Sequence, residues 1–403
     1  MSPPKLFLVV VITLVSICLP SQPLVVRASS FSSPLQQTTA PFLLSPYYGT
    51  TTINSYFDHR YPTYTVYPNS TYTNVIKYDG EEKPGCTQQG QTNCIWYDGH
   101  DGYDFALSYQ PVLAAAGGTV KTVGWAIAGC HNGPTCSYGL RVEIDHGNGY
   151  STRYGHLSAI AVELDQTVIA GQIIGTSGST GYSTGPHLHF GVFQTISRYA
   201  VDPFGWSGAG TDPWQVYSGV TSSWLWVDGQ WMTPPTPILA PDSGATVMID
   251  DGDAGFELRN SSGVCGYCLY WWYVTGVGTN GDMYYTYVNT VVDYEARWQP
   301  SFPFAGYYEV QVFIPANYAT SWQANYWVWH KDGVRITIVD QLGTSNLWLS
   351  LGTYRFDAGS NLTLGRINVS DYTQDTDRAS KVGVDAVRFI ARSRVPLPLI
   401  EKP

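Results

Sequence analysis

Apolar residues in this chain alternate with polar ones in short runs, and no long stretch carries a sustained helical period. Residues 118–123 and 140–144 both repeat with a period of two, which places every second side chain on one face of a strand. Glycine separates such runs, and charged residues make up only 13% of the 403 residues. This mixture favours strands and turns over helices with charged surfaces. The sequence therefore predicts an all-β protein.

The N-terminus has the pattern of an export signal. Lys5 precedes an almost unbroken apolar run over residues 6–19, Pro20 ends the run, and residues 26–28 offer a site for signal peptidase. The run is shorter than the roughly 20 residues that a membrane-spanning helix needs. We predict that residues 1–28 direct export and are then cleaved, which leaves a secreted protein without a membrane segment. A retained anchor is the alternative.

Cysteine usage agrees with an oxidising compartment. Cys18 would leave with the signal, and the six cysteines that remain form an even set with short spacings. An even count in an exported chain indicates disulfides. The last pair forms a CxxC motif, which could be a redox or zinc site, but a local disulfide in a turn is the preferred interpretation. The predicted pairs are Cys86–Cys94, Cys130–Cys136 and Cys265–Cys268.

The balance of charge excludes some classes of partner. The formal net charge is −10, and loss of Lys5 and Arg27 with the signal would make it more negative. Lys and Arg form no cluster anywhere in the chain. The chain is therefore not expected to bind nucleic acid, or to adhere to an anionic surface through its charge. A polymer would have to be bound through aromatic and hydrogen-bonding contacts.

Changes in composition divide the chain into regions. Residues after the signal are rich in Ser, Thr, Pro and Tyr without periodicity, which is typical of a spacer or a loosely packed extension. A segment rich in Trp and Pro separates two regions of alternating strands and indicates a linker. The predicted order is a spacer over 29–75, a first domain over 76–205, a linker over 206–240, a second domain over 241–392 and a tail over 393–403.

Two short clusters carry the residues that indicate chemistry. His100 and Asp104 are four residues apart in GHDGYDFAL, an even spacing that places both on one side of an extended strand, and the glycines of that run argue against a helix. His187 and His189 are two residues apart in STGPHLHFGV, so both imidazoles share one strand face. Imidazoles on a strand otherwise built for burial are costly unless a polar partner engages them.

Two imidazoles and one carboxylate are a suitable ligand set for a catalytic zinc ion. Such sites use three protein ligands and leave the fourth position to water. The two clusters offer four donors, so that one histidine is left for proton transfer or oxyanion stabilisation. Spacing alone does not decide which histidine that is. A structural zinc is the alternative, but structural sites usually fill all four positions with protein donors.

Residues 97–205 resemble the lysostaphin/LytM family of zinc endopeptidases. The resemblance lies in the HxxxD motif at His100 and Asp104, in IDHGNGYSTRYGHLS at 144–158, and in QTVIAGQIIGTSGSTGYSTGPHLHFGV at 166–192. It implies that the first domain is a zinc peptidase built on antiparallel sheets. The implied substrate is the peptide part of peptidoglycan, either its stems or its cross-bridges.

The same resemblance implies a role for each site residue. Zn²⁺ would be bound by His100, Asp104 and His189, the last being the second histidine of HxH. His187 and His156 match the catalytic histidines of the family that do not bind the metal, and they would stabilise the oxyanion or transfer a proton to the leaving amine. All five positions are filled, which disfavours a catalytically silent binding or regulatory protein. An endopeptidase for glycine-rich proteins is a further alternative.

The second domain resembles the golvesin-type domain, a β-sandwich related to a carbohydrate-binding module of xanthan lyases. We expect one buried strand face with Val310, Val312 and Ile314, and a second with Val334, Ile336 and Ile338. The segments that carry the resemblance are AGYYEVQVFIPAN at 305–317, HKDGVRITIVDQ at 330–341, LWLSLGTYRFDAGS at 347–360 and VGVDAVRFI at 382–390.

The resemblance makes carbohydrate a candidate partner of the second domain. Exposed aromatic rings would stack on sugars, although most tryptophans are expected in the core. The candidates are Trp271, Trp272, Trp322, Trp327 and Trp329.

The remaining histidines have no pattern that indicates a metal site. His146 lies in a tight turn and is expected to be structural or solvent-facing. His131 lies inside the predicted Cys130–Cys136 loop and is expected to be exposed. His59 and His330 have no partner pattern.

Overall fold

A computed structural model describes residues 40–62, 74–83, 98–227, 239–260, 263–264, 270–361 and 363–394. All described residues belong to one compact unit. The predicted export signal, most of the predicted tail, and the pairs Cys86–Cys94 and Cys265–Cys268 lie outside the described residues. The predicted disulfide between Cys130 and Cys136 is present.

The described residues form 25 strands and one short helix. In chain order they are β1 Ile53–Ser55, β2 Val75–Ile76, β3 Glu82–Lys83, β4 Tyr103–Phe105, β5 Pro111–Leu113, β6 Gly118–Trp125, β7 Leu140–Asp145, β8 Tyr150–Ile160, β9 Thr167–Val168, β10 Ile173–Ser177, β11 Leu188–Gln194, β12 Ala200–Val201, α1 Pro213–Ser218, β13 Leu239–Ile249, β14 Phe256–Asn260, β15 Gly263–Val264, β16 Trp272–Thr275, β17 Asp282–Tyr287, β18 Tyr294–Trp298, β19 Gly306–Ile314, β20 Ala324–His330, β21 Gly333–Val339, β22 Leu347–Phe356, β23 Arg366–Ser370, β24 Lys381–Val384 and β25 Val387–Arg394.

The all-β prediction is confirmed. The helix α1 has six residues, with Asp212 accepting a hydrogen bond from the Trp214 backbone N–H at its start and Gly219 in the left-handed conformation at its end. Within the described ranges, no helix is long and apolar enough to cross a bilayer. The strands β1, β4, β11 and β8 lie side by side in that order, and each neighbouring pair is antiparallel.

The first domain is held together by a core that draws residues from beyond its predicted bounds. Leu43 and Phe57 are fully buried in it, and so are Trp214 and Leu225. β1 also adds to the edge of β4. The described residues 40–62 are therefore tightly packed, which differs from the loose packing that the spacer composition favoured. Their buried apolar residues do not alternate with polar ones, so the sequence pattern did not reveal the burial.

The second domain is a β-sandwich, as predicted. One sheet has the order β13, β25, β19, β22, and the other contains β21, β20, β23, β18, β14 and β15. Side chains from both sheets meet in one core, in which Val310, Val312 and Ile314 are buried as expected. A third sheet of β16, β17 and β24 lies beside them.

The buried face of β21 is opposite to the predicted one. Thr337 and Val339 are fully buried, whereas Ile336 is 44% exposed. Ile338 on the predicted face packs partly against the core of the first domain. One face of β21 lies in the core of the second domain, and the other face contacts the first domain. The local sequence pattern does not show that both faces have a packing partner.

A backbone pairing joins the two domains. Val339 of β21 pairs with Ala159 of β8, so that one sheet continues from the first domain into the second. The Asp340 N–H donates to the Ser158 carbonyl at 2.8 Å. His131 was expected to be exposed, but its Nε2 lies 2.9 Å from Asp340 Oδ1 and its side chain is only 12% exposed. His131 is therefore mostly buried, because the Cys130–Cys136 loop packs against the second domain.

Candidate metal centre

Antiparallel pairing brings the two histidine-containing clusters together. His189 in β11 lies directly opposite Asp104 in β4 and, on its other side, opposite Gly155 in β8. His100 lies just before β4. One donor atom each from His100, Asp104 and His189 lies within 4.8 Å of the other two. All three predicted ligands are buried and meet at one point.

Neighbouring groups fix which nitrogen of His100 faces that point. Its Nδ1 lies 2.9 Å from the Tyr56 carbonyl, which only accepts, so Nδ1 carries the proton and donates. The Ser55 hydroxyl lies 3.2 Å from the same nitrogen. The Nε2 lone pair is left toward Asp104 Oδ1 at 3.2 Å and His189 Nδ1 at 3.1 Å. Residues at the end of β1, in the predicted spacer, thus orient a predicted ligand.

Asp101 orients His189 in a similar way. Its Oδ1 lies 3.2 Å from His189 Nε2, at ion-pair distance although the N–H does not point straight at the oxygen. The other carboxylate oxygen accepts from the Tyr138 hydroxyl at 2.5 Å and lies 3.4 Å from Arg153 Nη1. Arg153 also donates through Nε to Glu143 at 2.8 Å. This network was not predicted from the sequence, although Asp101 is the first carboxylate of the GHDGYD run.

The shared acidic surroundings alter the pKa of His189. Burial by itself lowers that pKa, but the contacts with Asp101 and Asp104 outweigh burial and raise it to about 9. Burial also disfavours the charged form of Asp104, yet the charges of His100 and His187 hold its pKa well below its usual range. A carboxylate that stays ionised at neutral pH is available as a ligand.

The donor set fits a divalent metal ion. His100 Nε2, His189 Nδ1 and Asp104 Oδ1 are three acceptors within 3.2 Å of one another. The outer nitrogen of each imidazole is turned to a carbonyl or a carboxylate, so without a metal ion the proton between the three atoms is the second proton of His189, which its raised pKa favours. Buried acceptors facing one another are costly. A cation resolves that conflict, and two imidazoles with one carboxylate suit Zn²⁺.

His156 owes its position to an irregularity in β8. Leu140 pairs with Leu157 but Val142 pairs with Tyr154, so β8 has one more residue than β7 over this interval. Such a bulge redirects side chains. His156 sits in the bulge with φ 59°, a left-handed conformation that is uncommon for a residue other than glycine and clusters at functional sites.

The chemistry of His156 follows from its surroundings. Its Nδ1 lies 2.7 Å from the Thr180 carbonyl, so Nδ1–H donates and Nε2 is the lone-pair nitrogen. Burial, followed by the charges of His187 and His189, lowers the pKa of His156 well below its ordinary value. A ring that stays neutral at pH 7 can accept a proton.

His187 lies beside His156 and beside the metal ligands. The two rings are 4.6 Å apart between centroids. His187 Nδ1 lies 2.8 Å from the Gly185 carbonyl and donates to it, while Nε2 lies 3.6 Å from Asp104 Oδ1. The structure therefore brings all five predicted site residues together, three as a cluster of donors and two next to it.

The other histidines are held in separate environments. His59 is fully buried between Asp202 and Asp212, each 2.8 Å from one ring nitrogen. His146 bonds to the Gly117 carbonyl and the Thr152 hydroxyl, a structural role as expected.

Two family models match this chain. Residues 98–203 match Peptidase family M23, and residues 270–391 match the Golvesin C-terminal domain. The first match contains all five site residues, and the second covers most of the β-sandwich.

Curated relatives resemble the chain over short segments. A Haemophilus influenzae protein described as an uncharacterized metalloprotease is 41% identical over 125 residues, 31% of this chain and 23% of the relative. The peptidoglycan DD-endopeptidase ShyA of Vibrio cholerae is 46% identical over 92 residues, 23% of this chain and 19% of the relative. Lysostaphin of Staphylococcus simulans is 44% identical over 92 residues, 23% of this chain and 17% of the relative.

The chain spans less than a quarter of the length of each of these relatives. The family matches, the order of the motifs and the arrangement of the donors agree with one another. This chain therefore carries a domain of peptidase family M23 followed by a golvesin C-terminal domain.

Proposed function

We propose that this protein is a secreted zinc endopeptidase that hydrolyses peptide bonds in the stems or cross-bridges of bacterial peptidoglycan. The observation that carries the proposal is the convergence of His100, Asp104 and His189 donor atoms within 4.8 Å, with two further imidazoles alongside. The names of the relatives, which include a peptidoglycan endopeptidase and lysostaphin, support the substrate class. The apolar N-terminal run supports export.

The residues that would hold Zn²⁺ are His100 through Nε2, Asp104 through a carboxylate oxygen and His189 through Nδ1. A bound zinc ion would supply Lewis acidity toward the scissile carbonyl and activate a water molecule. His156 would take up a proton, because its neutral ring has an unprotonated Nε2 while Thr180 holds Nδ1–H. His187 would hydrogen-bond the oxygen that becomes charged or pass a proton to the leaving amine.

The proposal also gives the golvesin domain a role in contact with glycan. Two of the five candidate tryptophans, Trp271 and Trp322, are buried and unsuited to stacking. Trp272 instead starts a ladder in which it stacks on Tyr285, which in turn stacks on Tyr318. Aromatic faces of this kind suit sugar rings. A Trp272→Ala change in an inactive His187→Ala background should reduce sedimentation with isolated cell walls.

A zymogram with embedded cell wall tests the proposed reaction. Purified protein should clear the gel, a chelator should abolish clearing, and Zn²⁺ should restore it. Mass analysis of soluble muropeptides would then identify the bond cut. Metal-dependent clearing of a glycine-rich protein gel, with cell wall left intact, would favour the alternative substrate class. No hydrolysis of either substrate by metal-loaded protein would favour a silent binding protein.

A further inference from the structure

A second group of acidic residues lies in and just before the golvesin match, far along the chain from the peptidase site. Its members come from the turn after β13, the first residue of β17 and the loop between β24 and β25. They are Asp250, Asp251, Asp253, Asp282 and Asp385. Three separate segments of the sandwich thus contribute carboxylates to one place.

The carboxylates are close enough to share one ion. An oxygen from each of Asp250, Asp251 and Asp282 lies within 4.8 Å of the other two. Thr279 connects Asp385 to this group, because its hydroxyl contacts Asp385 Oδ1 and, at 3.1 Å, Asp250 Oδ1, and its backbone N–H donates to Asp385 Oδ2 at 3.0 Å.

Asp251 is the member that points to a ligand. Its residue is only 7% exposed, and its Oδ2 is buried with no hydrogen-bond partner among the described residues. A buried carboxylate without a partner is strongly unfavourable. Burial, and then the charges of Asp250, Asp282, Asp385 and Asp253, raise its pKa to about 8. The four charges that act on it most strongly are all negative.

The turn before β17 passes close to the aspartate cluster. Gly278 has φ +92°, and a Cβ there would lie 2.6 Å from Asp385 Oδ2. The turn before β17 can close over the carboxylates because this position has no side chain. Tyr273 fixes Asp282 by donating to its Oδ2 at 2.5 Å.

We propose that Asp250, Asp251 and Asp282 bind a divalent cation, and that this cation is Ca²⁺. The donors are all oxygens, with no imidazole or thiolate in the group, which excludes a preference for zinc. Ca²⁺ accepts several carboxylates in irregular geometry, whereas Mg²⁺ demands a near-ideal octahedron. Asp385 lies beside these three residues, because the Thr279 hydroxyl contacts both Asp385 and Asp250, and it would hold its neighbours in place.

The bound cation would stabilise the sandwich. It would tie the turn after β13 to the start of β17 and, through Thr279, to the loop that precedes β25. That loop also accepts a hydrogen bond from the buried Trp298 indole at the Asp385 carbonyl, 2.8 Å away. The site is separate from the peptidase centre, so its occupancy should affect stability without being needed for hydrolysis.

Calorimetric titration and thermal melting of the full chain test the proposal. After chelation and dialysis, about 1 mM Ca²⁺ should raise Tm by about 5 °C, and the same concentration of Mg²⁺ should raise it much less. Calorimetry should show one bound Ca²⁺ in the wild type and also in His189→Ala, in which the peptidase centre is damaged.

The variant Asp251→Asn separates a cation site from a merely structural aspartate. Without Ca²⁺ its Tm should equal or exceed that of the wild type, because repulsion is relieved, and with Ca²⁺ it should fall below. Asp282→Asn should behave alike and covers the case in which the first variant folds poorly. The absence of Ca²⁺ binding by the wild type, or an equal loss of Tm with and without Ca²⁺ in both variants, would overturn the proposal.

Discussion

Asp101 Oδ1 lies 3.2 Å from His189 Nε2, on the side of the ring opposite to the nitrogen that faces Asp104. This contact places a carboxylate behind a proposed metal ligand. Such a partner fixes the orientation of the imidazole and raises its basicity, and its loss typically costs about 10–100-fold in metal affinity. Tyr138 and Arg153 hold Asp101 in turn.

Asp101→Asn should therefore weaken zinc binding by about tenfold or more while the protein stays folded. The measurement is competition with a chromophoric chelator at constant pH. Tyr199→Phe, which removes a hydroxyl from an exposed ring outside the site, serves as the control. An unchanged zinc dissociation constant in the Asp101 variant would show that the contact with His189 has no positioning role.

Gly102 leaves room for the ring of His189. A Cβ at residue 102 would lie 2.5 Å from the Phe190 carbonyl and 2.9 Å from the His189 ring. Gly102→Ala should displace that imidazole, lower zinc affinity and destabilise the fold by about 1–3 kcal/mol. Zinc titration and urea unfolding provide both readouts.

Gly185 offers a matched control for the preceding change, because nothing lies within 4 Å of a Cβ built there. Gly185→Ala should leave zinc affinity and stability close to those of the wild type. Equal effects of the two substitutions would contradict the steric explanation.

His59 should make stability depend on pH. Burial alone would lower its pKa, but the hydrogen bonds that His59 donates to Asp202 and Asp212 raise it to about 9, against an ordinary value of 6.5. A raised pKa in the folded state means that the stabilisation is fully present below pH 6.5 and is lost as pH rises through about 9. The shift corresponds to about 3 kcal/mol.

Urea unfolding of the zinc-loaded protein at several pH values measures this contribution. The difference in unfolding free energy between wild type and His59→Gln should shrink as pH rises from 6.5 to above 9. Using the difference removes other groups that titrate in the same range. A difference that stays constant with pH would mean that His59 is neutral in the folded protein.

Local patterns and the family resemblance together predicted the candidate site, but not the residues that support it. His100, Asp104 and His189 were predicted together because even spacing in extended segments places side chains on one face, and the family resemblance identified which donors to choose. The contacts of Ser55 and Tyr56 with His100 were not predictable, because residues 40–62 show no alternation of apolar and polar side chains. Neither was the burial of His59, whose partners are more than 140 residues away.

The strand pattern likewise predicted some parts of the fold and not others. The period of two predicted strands such as β19 and their buried face, because a sandwich core lies on one side of them. It failed for β21, where Thr337 is buried and Ile336 is exposed. That strand pairs with β8 of the peptidase domain through Val339 and Ala159, and a contact between domains leaves no local signal in either segment.

The most direct test of the proposed peptidase centre compares zinc content with turnover in two variants of one HxH motif. His189→Ala should lose both bound zinc and hydrolysis of cell wall, because Nδ1 of His189 is a proposed ligand. His187→Ala should retain about one zinc per chain, in line with three remaining protein ligands, and lose most of its turnover. Full zinc content and full activity in the His189 variant would contradict the proposed centre.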